Sequence, residues 1–401
     1  MDQGNGSSSG LDRGRTATMT CRVLFMISSM RGGGSERQTL LFLKNLDRSR
    51  FSPHLYLMEK AGTLLPDVPE DIPIHSFEDV RKEPLVYMPG SMMRQQVSHL
   101  EDLLSTESID VIYDRTFHMT LIAGPAGRRQ SIPRVSTIVS PPDLALPLVE
   151  KRFVRLKRRR LAKAYQTSSQ ILAVSRIAAE AAKQYYQLPA DSILVLPNPV
   201  DPAELNVSNT GQNRREPSST LNLICVGRMT EEKGHHDLIK AMILAQAKWP
   251  DGMGGIHLRL VGDGPLRTDL ELAAKEIQSP HAVDFSGALS DVGPGIAGAD
   301  ALVLPSLFEG MPNVVLEAMA LQTPVIATRA GGTIELERSE PTILWAEPGN
   351  PDSLANAILS FASDPRSSTA RTQAATRLIT EHHNINQTCR TLESHLLAAC
   401  T

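Results

Sequence analysis

The sequence predicts an α/β protein with two doubly wound parallel sheets that face a central cleft. A chain of 401 residues is long for one hydrophobic core, so two domains are expected. Short β-rich runs alternate with helical runs, as in a parallel sheet flanked by helices. The alternation stops at 201–220, which is rich in Asn, Pro, Ser and Gly, and then restarts. The predicted domains are therefore 20–200 and 221–380, joined by this linker.

The first domain begins with a strand at Arg22–Ser28 and a helix at Gly34–Leu46. The strand is an apolar run that ends at Ser and Gly residues, which are typical of a turn. Further strands with the same composition are predicted at Pro53–Glu59, Ile109–Arg115, Pro133–Val139, Ile171–Ser175 and Ile193–Leu196.

The second domain repeats this alternation. Helices are predicted at His236–Gln246 and Leu266–Ile277. The predicted strands are Leu221–Val226, Ile256–Val261, Ala282–Phe285, Ala301–Leu304 and Pro324–Ala327. In such sheets, ligands bind beyond the carboxyl ends of the strands, so the loops after these strands are the expected site.

Composition excludes several classes of protein. A net charge of −3 argues against a general nucleic-acid binder. The four cysteines have no metal-ligand spacing, so we expect no metal site and a reducing, cytosolic compartment. Residues 1–19 lack an apolar run and are expected to be a disordered leader or a cloning remnant. No run approaches the roughly 18–20 apolar residues that span a bilayer.

The most informative segment is 304–335, which contains Glu309 and Glu317 in an E-x7-E arrangement. Pro312 fits a first helical turn, and Asn313–Met319 is predicted to be helical. Glu309 would then lie in the loop before the helix, and Glu317 within it. A helix N-terminus between two carboxylates suits a ligand that carries both phosphate and hydroxyl groups, as a nucleotide-sugar does.

Four other motifs directly follow predicted strands: GGGSERQ at 32–38, VGRMTEEKG at 226–234, LVGDGP at 260–265 and VDFSGALS at 283–290. In order and spacing, these motifs and the segment 304–335 resemble the retaining glycosyltransferases of family 4, which have the GT-B fold. The resemblance extends from about residue 20 to the C-terminus. It also implies that the final helix, Asn386–Ala399 within 381–401, crosses back onto the N-terminal domain.

The resemblance assigns roles to individual residues. Arg228 and Lys233 would stabilise the departing diphosphate, because fixed cations act on charge that grows in the transition state. Glu309 would contact hydroxyls of the transferred sugar, and Glu317 the ribose hydroxyls of the nucleotide. The backbone that would cap the phosphate belongs to Gly310, Met311, Pro312, Asn313 and Val314.

Glycine loops complete the implied donor site. Gly33 and Gly34 would border the donor phosphate and the acceptor, since glycine lets backbone approach a ligand closely. The loops at Gly262 and Leu289 would flank the base, largely through backbone groups.

The sequence departs from the family pattern at two positions. Ser140 stands where a histidine near the reacting carbon is usual, which leaves His118 as the candidate in this domain. Gln322 stands where glycine usually ends the helix. If this position is left-handed, glutamine there costs about 1 kcal/mol relative to glycine.

Residues 151–163 contain eight basic residues and no acidic residue. We predict that Phe153, Leu156, Leu161 and Ala164 share one helical face, as in a helix that lies on an anionic membrane surface. A solvated basic helix, or one that faces an acidic acceptor, is the alternative.

These features predict transfer of a sugar from a nucleoside diphosphate, with UDP favoured, to an acceptor hydroxyl in polysaccharide or glycolipid synthesis. The resemblance implies no metal or other cofactor and a glycan or lipid-linked acceptor. Two alternatives remain: a nucleotide-sugar 2-epimerase, and a non-catalytic nucleotide-sugar binding protein, which the serine at position 140 motivates. A dinucleotide dehydrogenase is disfavoured, because GGGSER lacks the G-x-G-x-x-G spacing.

Overall fold

The structure, a computed structural model, describes residues 20–81, 90–205, 220–364 and 367–400. These residues form two parallel sheets with helices on both faces. The predicted leader and most of the predicted linker lie outside the described residues.

The first sheet has the strand order β3-β2-β1-β4-β5-β6-β7. Its strands are β1 Cys21–Ile27, β2 Phe51–Leu57, β3 Ile74–Ser76, β4 Val111–Arg115, β5 Arg134–Ile138, β6 Gln170–Ala173 and β7 Ile193–Val195.

The second sheet has the strand order β10-β9-β8-β11-β12-β13. Its strands are β8 Leu221–Val226, β9 Ile256–Val261, β10 Ala282–Gly287, β11 Ala301–Leu304, β12 Val325–Thr328 and β13 Leu344–Ala346.

Of the α-helices along the described chain, ten lie between strands and the last three follow β13. In the first half of the chain they are α1 Gly34–Asn45, α2 Ser91–Thr106, α3 Phe117–Gln130, α4 Pro142–Val149, α5 Val154–Gln166 and α6 Arg176–Tyr186. In the second half they are α7 His235–Gln246, α8 Arg267–Ala273, α9 Gly293–Ala297, α10 Asn313–Ala320, α11 Pro351–Ser363, α12 Ser368–His382 and α13 Ile385–Cys400.

In each sheet the strand order changes direction once. The chain proceeds outwards from β1 towards β3 and then continues on the other side of β1 with β4; β8 and β11 are related in the same way. The loops that leave two such neighbouring strands diverge, and a crevice opens between them at the carboxyl ends. Each sheet therefore contributes one crevice.

The last helix, α13, packs on the first sheet. Its Ile385, Cys389, Leu392 and Leu396 are buried in the same apolar cluster as Val23 of β1. Because this face of the sheet is apolar, it needs such a cover to be removed from water. The C-terminal residues therefore complete the first domain.

Every predicted strand is present, with small shifts at the ends. The predicted strand Pro53–Glu59 runs instead from Phe51 to Leu57. The N–H of Leu55 donates to the oxygen of Pro73, on the side of β2 that faces β3. The nitrogen of Pro53, two residues earlier, faces the same side but lies beyond the start of β3. Proline is therefore tolerated there, because its missing N–H has no partner to lose. The short edge strands β3 and β13 were not predicted.

Gln322 adopts the left-handed conformation, with φ of 58°, so the condition under which glutamine is unfavourable relative to glycine is met. Pro312 is the N-cap of α10, one residue before the first helical turn in which it was predicted. The predicted helix Leu266–Ile277 is an α-helix only to Ala273 and then tightens into a 3₁₀ turn.

Two thiols that are distant in the sequence meet in the first domain. The Sγ atoms of Cys21 and Cys400 lie 3.4 Å apart, and all four cysteines are free thiols. Cys225 is buried, whereas Cys21 is only partly buried, because β1 begins at the rim of the sheet beside the end of α13.

A buried charge network joins β4 to β5. Asp114 accepts hydrogen bonds from Thr120 at 2.6 Å and Ser136 at 2.7 Å, and it pairs with Arg134 at 3.2 Å. The side chains of Arg134 and Asp114 are 2% and 0% exposed. Arg134 also donates to the backbone oxygen of Ala164 in α5. The network therefore fixes the position of α5 relative to the sheet.

We expect Asp114→Ala to reduce the free energy of unfolding by roughly 3–5 kcal/mol, because it leaves the Arg134 guanidinium buried without its counter-charge. The matched control is Glu340→Ala, which breaks an ion pair with Arg377 whose side chains are both 54% exposed. The control is expected to cost at most about 1 kcal/mol. Denaturant titration of both variants measures the two losses in the free energy of unfolding. Equal losses would show that Arg134 does not depend on Asp114 as its counter-charge.

Candidate active site

The predicted site residues follow the four strands that border the two crevices. Gly33 and Gly34 follow β1, and His118 follows β4. Arg228 and Lys233 follow β8, and the segment from Glu309 to Glu317 follows β11. The two crevices face each other, since residues after β11 contact residues after β1 and β5. The site is thus a cleft between the two sheets.

Glycines let the loops at the ends of β8, β9 and β10 pack backbone to backbone. Gly262 has a φ of +137°, and a Cβ atom there would lie 2.0 Å from the backbone oxygen of Gly227. The Gly262 N–H donates to the oxygen of Gly287 at 2.8 Å. Any side chain at position 262 would therefore separate these loops. Leu289 lies just beyond Gly287 and is 44% exposed.

The Gly310 loop lies between the two domains. A Cβ atom at Gly310 would lie 1.9 Å from the oxygen of Val139 in the first domain. One at Gly332 would lie 1.7 Å from the oxygen of Gly310 itself. Gly332 also donates its N–H to Glu309 at 3.0 Å. Backbone on both sides therefore holds this loop in place, and only glycine permits the approach.

Lys233 and Glu309 form a partly buried ion pair. Lys233 Nζ lies 2.6 Å from Glu309 Oε1, and Ser306 Oγ donates to the same oxygen at 2.7 Å. Gly234, left-handed at φ +67°, ends the turn that carries Lys233 and packs against Pro305 before the Glu309 loop. The pair thus links the loops after β8 and β11.

The pKa of Lys233 is raised. Burial alone would lower it, but the charge of Glu309 and the hydrogen bond to it outweigh burial, and Glu232 acts in the same direction. Lys233 is therefore a fixed cation at neutral pH, with 26% of its side chain exposed to the cleft.

Arg228 is exposed and has no ion pair among the described residues. Its charge acts across the cleft on Glu36 in the first turn of α1. Burial raises the pKa of Glu36, whereas its own backbone N–H, Arg228 and Arg115 lower it, and the net pKa is raised. A partly buried carboxylate and cations from both domains therefore meet at one place.

Asn313 connects the two domains through its amide side chain. Its Oδ1 accepts from Asn198 at 2.8 Å and from Gln38 at 3.3 Å, and its Nδ2 donates to the oxygen of Gly34 at 2.9 Å. These bonds bring the N-termini of α1 and α10 together. Helix N-termini have exposed N–H groups and a positive potential, so the pair favours an anion.

Glu317 lies in α10 with a partly exposed carboxylate that has no hydrogen-bond partner among the described residues. Burial raises its pKa; nearby Arg37 lowers the pKa, and nearby Asp291 raises it. An unpaired carboxylate in such a place is destabilising unless a ligand satisfies it. Two hydroxyl donors would do so.

His118 lies in the first turn of α3, where burial lowers its pKa, and Glu150 and Lys157 are its charged neighbours. Its role therefore stays a prediction. Ser140 lies next to the Gly310 loop, with its Cα 3.1 Å from a Cβ built at Gly310.

Several residues at the cleft were not predicted from the sequence. Arg115 ends β4, is 2% exposed, and donates to Tyr113 at 3.0 Å and Asn198 at 3.3 Å. Glu36 and Arg37 stand within the GGGSERQ motif, which drew attention only through its glycines. Polar residues at the ends of the crevice strands were the signal that could have found them.

The apolar face predicted for the basic helix was wrong. Leu161 and Ala164 of α5 are buried, whereas Phe153 and Leu156 are 74% and 46% exposed. The four therefore do not share one face. The apolar face of α5 packs on the domain core, and its outward face is basic. In the described ranges, no helix is both long and apolar enough to cross a membrane.

Away from the cleft, the structure brings together three potential metal ligands that sequence spacing did not predict. Ligand atoms of His54, His75 and Glu107 lie within 4.8 Å of one another. His54 Nδ1 and His75 Nε2 are 3.1 Å apart, and burial lowers the pKa of both. A hydrogen bond between two neutral imidazoles accounts for their approach.

Two family models match the chain, one on each domain. The model described as Glycosyltransferase Family 4 matches residues 32–204, and the model described as Glycosyl transferases group 1 matches residues 220–364. Together they include both sheets almost completely.

Curated relatives are similar over part of their length. A glycosyltransferase of Methanocaldococcus jannaschii is 29% identical over 208 residues, which are 49% of this chain and 52% of that protein. The lipopolysaccharide core biosynthesis glycosyltransferase LpsE of Rhizobium meliloti is 33% identical over 161 residues, which are 40% of this chain and 44% of that protein. The chain thus spans about half the length of the curated relatives it matches.

Among solved structures, HepE of Anabaena in complex with UDP-glucose aligns with a TM-score of 0.74 and 23% identity. The alignment covers 94% of this chain and 100% of that chain. This likeness confirms the predicted GT-B fold.

The raised pKa of Glu317 gives a stability prediction. At neutral pH the carboxylate is charged more easily in the unfolded chain than in the folded one, so its charge opposes folding. We expect Glu317→Gln to melt at a higher temperature than the wild type at pH 7. The gain should vanish below pH 4.5, the ordinary pKa of a glutamate, where both states are protonated.

The matched control is Glu276→Gln, a change at an exposed position outside the cleft. It should alter the free energy of unfolding by no more than about 0.5 kcal/mol. The melting temperatures of the wild type, Glu317→Gln and Glu276→Gln between pH 4 and 8 measure both effects. If Glu317→Gln were less stable than the wild type at pH 7, the charge of Glu317 would not oppose folding, and the prediction would be wrong.

Proposed function

The chain belongs to the group 1 glycosyltransferases, and we propose that it transfers a sugar from a nucleoside diphosphate sugar to an acceptor hydroxyl. The observation that carries this proposal is the cleft itself. The N-termini of α1 and α10 meet there, the cations Arg228 and Lys233 follow β8, and the unpaired carboxylate of Glu317 lies near Arg37 of α1. This combination recognises a ligand with both phosphate and hydroxyl groups.

The nucleotide end of the donor is assigned to α10 and the loops after β9 and β10. Glu317 accepts hydrogen bonds from the ribose hydroxyls, which satisfy its carboxylate. The backbone at Gly262 and Leu289 flanks the base, and the backbone from Gly310 to Val314 caps the phosphate. The UDP-glucose in the HepE structure supports a UDP-linked donor.

The reacting end is assigned to Arg228, Lys233 and Glu309. As the bond between sugar and phosphate breaks, negative charge grows on the diphosphate, and the two fixed cations stabilise it. Glu309 holds Lys233 in place and contacts sugar hydroxyls. Because Glu309 already accepts from Lys233 and Ser306, it is not placed as a free nucleophile. If configuration is retained, as the resemblance implies, the reaction would therefore proceed on one face of the sugar and not through a covalent intermediate on Glu309.

The cofactor, acceptor and location are further parts of the proposal. Arg228 and Lys233 supply the charge that a divalent cation would otherwise supply, so no metal is needed. The acceptor is a glycan or lipid-linked hydroxyl, in line with the lipopolysaccharide function named for LpsE. The protein acts in the cytoplasm. His118 and Glu36 are the first-domain groups proposed to lie nearest the acceptor.

The test is mass spectrometry of products after incubation with a panel of nucleotide-sugars and a membrane lipid extract, with and without EDTA. We expect one hexose or N-acetylhexosamine to be added to an acceptor, with the same yield in EDTA. Conversion of the donor alone would indicate an epimerase. Donor binding without turnover would indicate the non-catalytic binding protein that Ser140 suggests.

Two substitutions separate binding from turnover. Glu317→Ala removes the proposed partner of the ribose and should raise the donor Kd about 10- to 100-fold. Lys233→Ala removes charge stabilisation at the leaving group and should lower kcat roughly 10²- to 10³-fold, with a smaller effect on the Kd. Calorimetry with UDP and initial-rate kinetics measure the two effects.

The matched control for Lys233→Ala is Lys240→Ala, which removes an exposed lysine of α7 outside the cleft. It should leave both the Kd and kcat unchanged. Full transfer activity in both site variants would show that the site has been assigned to the wrong residues.

A further inference from the structure

The connection between α4 and α5 exposes an unusual set of apolar side chains. Leu144, Leu148 and Val149 of α4 are 47%, 40% and 67% exposed. Phe153, immediately before α5, is 74% exposed, and Leu156 in its first turn is 46% exposed. We call these five residues, together with the exposed cations among them, the α4–α5 surface. Large apolar side chains that are exposed together mark an interaction site.

The exposed cations of this surface are Lys151, Arg152, Arg155 and Arg159. None of the four has an acidic partner in the part of the chain that the structure describes. Two neighbouring basic residues are already used: Lys157 pairs with Glu150, and Arg158 lies 4.7 Å from the ring centre of Tyr185. The unpaired cations therefore alternate with the apolar side chains on the outer surface.

The rest of both helices is anchored inside the domain. Leu146 of α4 and Leu161 of α5 are 0% exposed and belong to one apolar cluster. Phe153 has a left-handed φ of 59°, which is costly for an aromatic residue. The exposed side chains are thus held outwards by a fixed frame. They are not core residues that failed to pack.

From this arrangement we propose that the α4–α5 surface docks on an anionic phospholipid bilayer. Leu148, Val149 and Phe153 enter the boundary between headgroups and acyl chains, and the cations contact lipid phosphates. Single apolar side chains between cations match that boundary, where apolar and anionic groups lie within a few ångströms. A second copy of this chain would instead place cation against cation.

The surface is continuous with the cleft. α4 begins at Pro142, two residues after Ser140, which lies against the Gly310 loop. His118 has Glu150 and Lys157, from the two ends of the α4–α5 connection, as its charged neighbours. If the proposed transferase function holds, docking brings the acceptor side of the cleft to a bilayer and favours a lipid-linked acceptor. The docking itself does not depend on that function.

The test is co-sedimentation of the full chain with phosphatidylcholine vesicles, with or without about one third phosphatidylglycerol. We expect binding only to the anionic vesicles and weaker binding at high salt, because the headgroup contacts are screened. The triple variant Leu148→Ser, Val149→Ser, Phe153→Ser and the double variant Arg152→Glu, Arg155→Glu should each lower the partition coefficient more than 10-fold.

The matched controls lie in the second domain. Leu272→Ser removes an apolar side chain that is 64% exposed, and Lys275→Glu reverses an exposed charge. Both should sediment like the wild type. A Phe153→Trp variant reports insertion directly, as a blue shift of its added fluorescence on anionic vesicles.

Equal binding to both kinds of vesicle, no binding to either, or full binding by both surface variants would overturn the proposal. The proposal would also be overturned if the control variants lost as much vesicle binding as the surface variants. UDP binding measured without vesicles keeps the two proposals distinguishable. Variants that bind UDP normally but not vesicles support docking whether or not transfer is observed.

Discussion

The hydrogen bonds of the Asn313 side chain join the two sides of the cleft. One amide accepts from Asn198 and Gln38 and donates to the backbone of Gly34, so it joins the crevice of one sheet to the crevice of the other. These bonds hold the N-termini of α1 and α10 next to each other, on the side of the cleft where the charges of Arg228 and Glu36 act on each other. The backbone contact of Gly310 with Val139 fixes the same approach sterically.

The empty cleft contains charged side chains whose interactions are incomplete without a ligand. The carboxylate of Glu317 is unpaired, that of Glu36 is partly buried between cations, and Arg228 has no counter-ion among the described residues. A diphosphate would supply the counter-charge of Arg228, and adjacent hydroxyl groups would satisfy the carboxylate of Glu317, whose burial without a partner lowers the stability of the empty protein. The two sheets and the buried pair of Arg134 with Asp114 provide the rigidity that keeps these groups in place.

The sequence predicted the architecture well because alternation and turn composition are local properties. It placed the longer strands and the loops after them, and it identified Gln322 as a departure from glycine at a position that is left-handed in the structure. It could not place groups whose importance arises only from folding. Arg115 becomes a cleft residue because β4 lies beside β1, and Asn198 because it reaches Asn313. The predicted face of α5 was wrong because the helix begins only at Val154, so that the left-handed Phe153 before it does not continue the helical period.

The return of α13 to the first sheet has a consequence for synthesis of the chain. Ile385, Cys389, Leu392 and Leu396 cover an apolar face whose strands are made hundreds of residues earlier. When the ribosome has finished the first domain, it has not yet synthesised the residues of α13 that cover this face. Until translation ends, the nascent domain therefore exposes the part of this face that α13 covers, and exposed apolar surface of this kind favours aggregation. A truncation of only the last sixteen or so residues would leave every copy of the protein in that state.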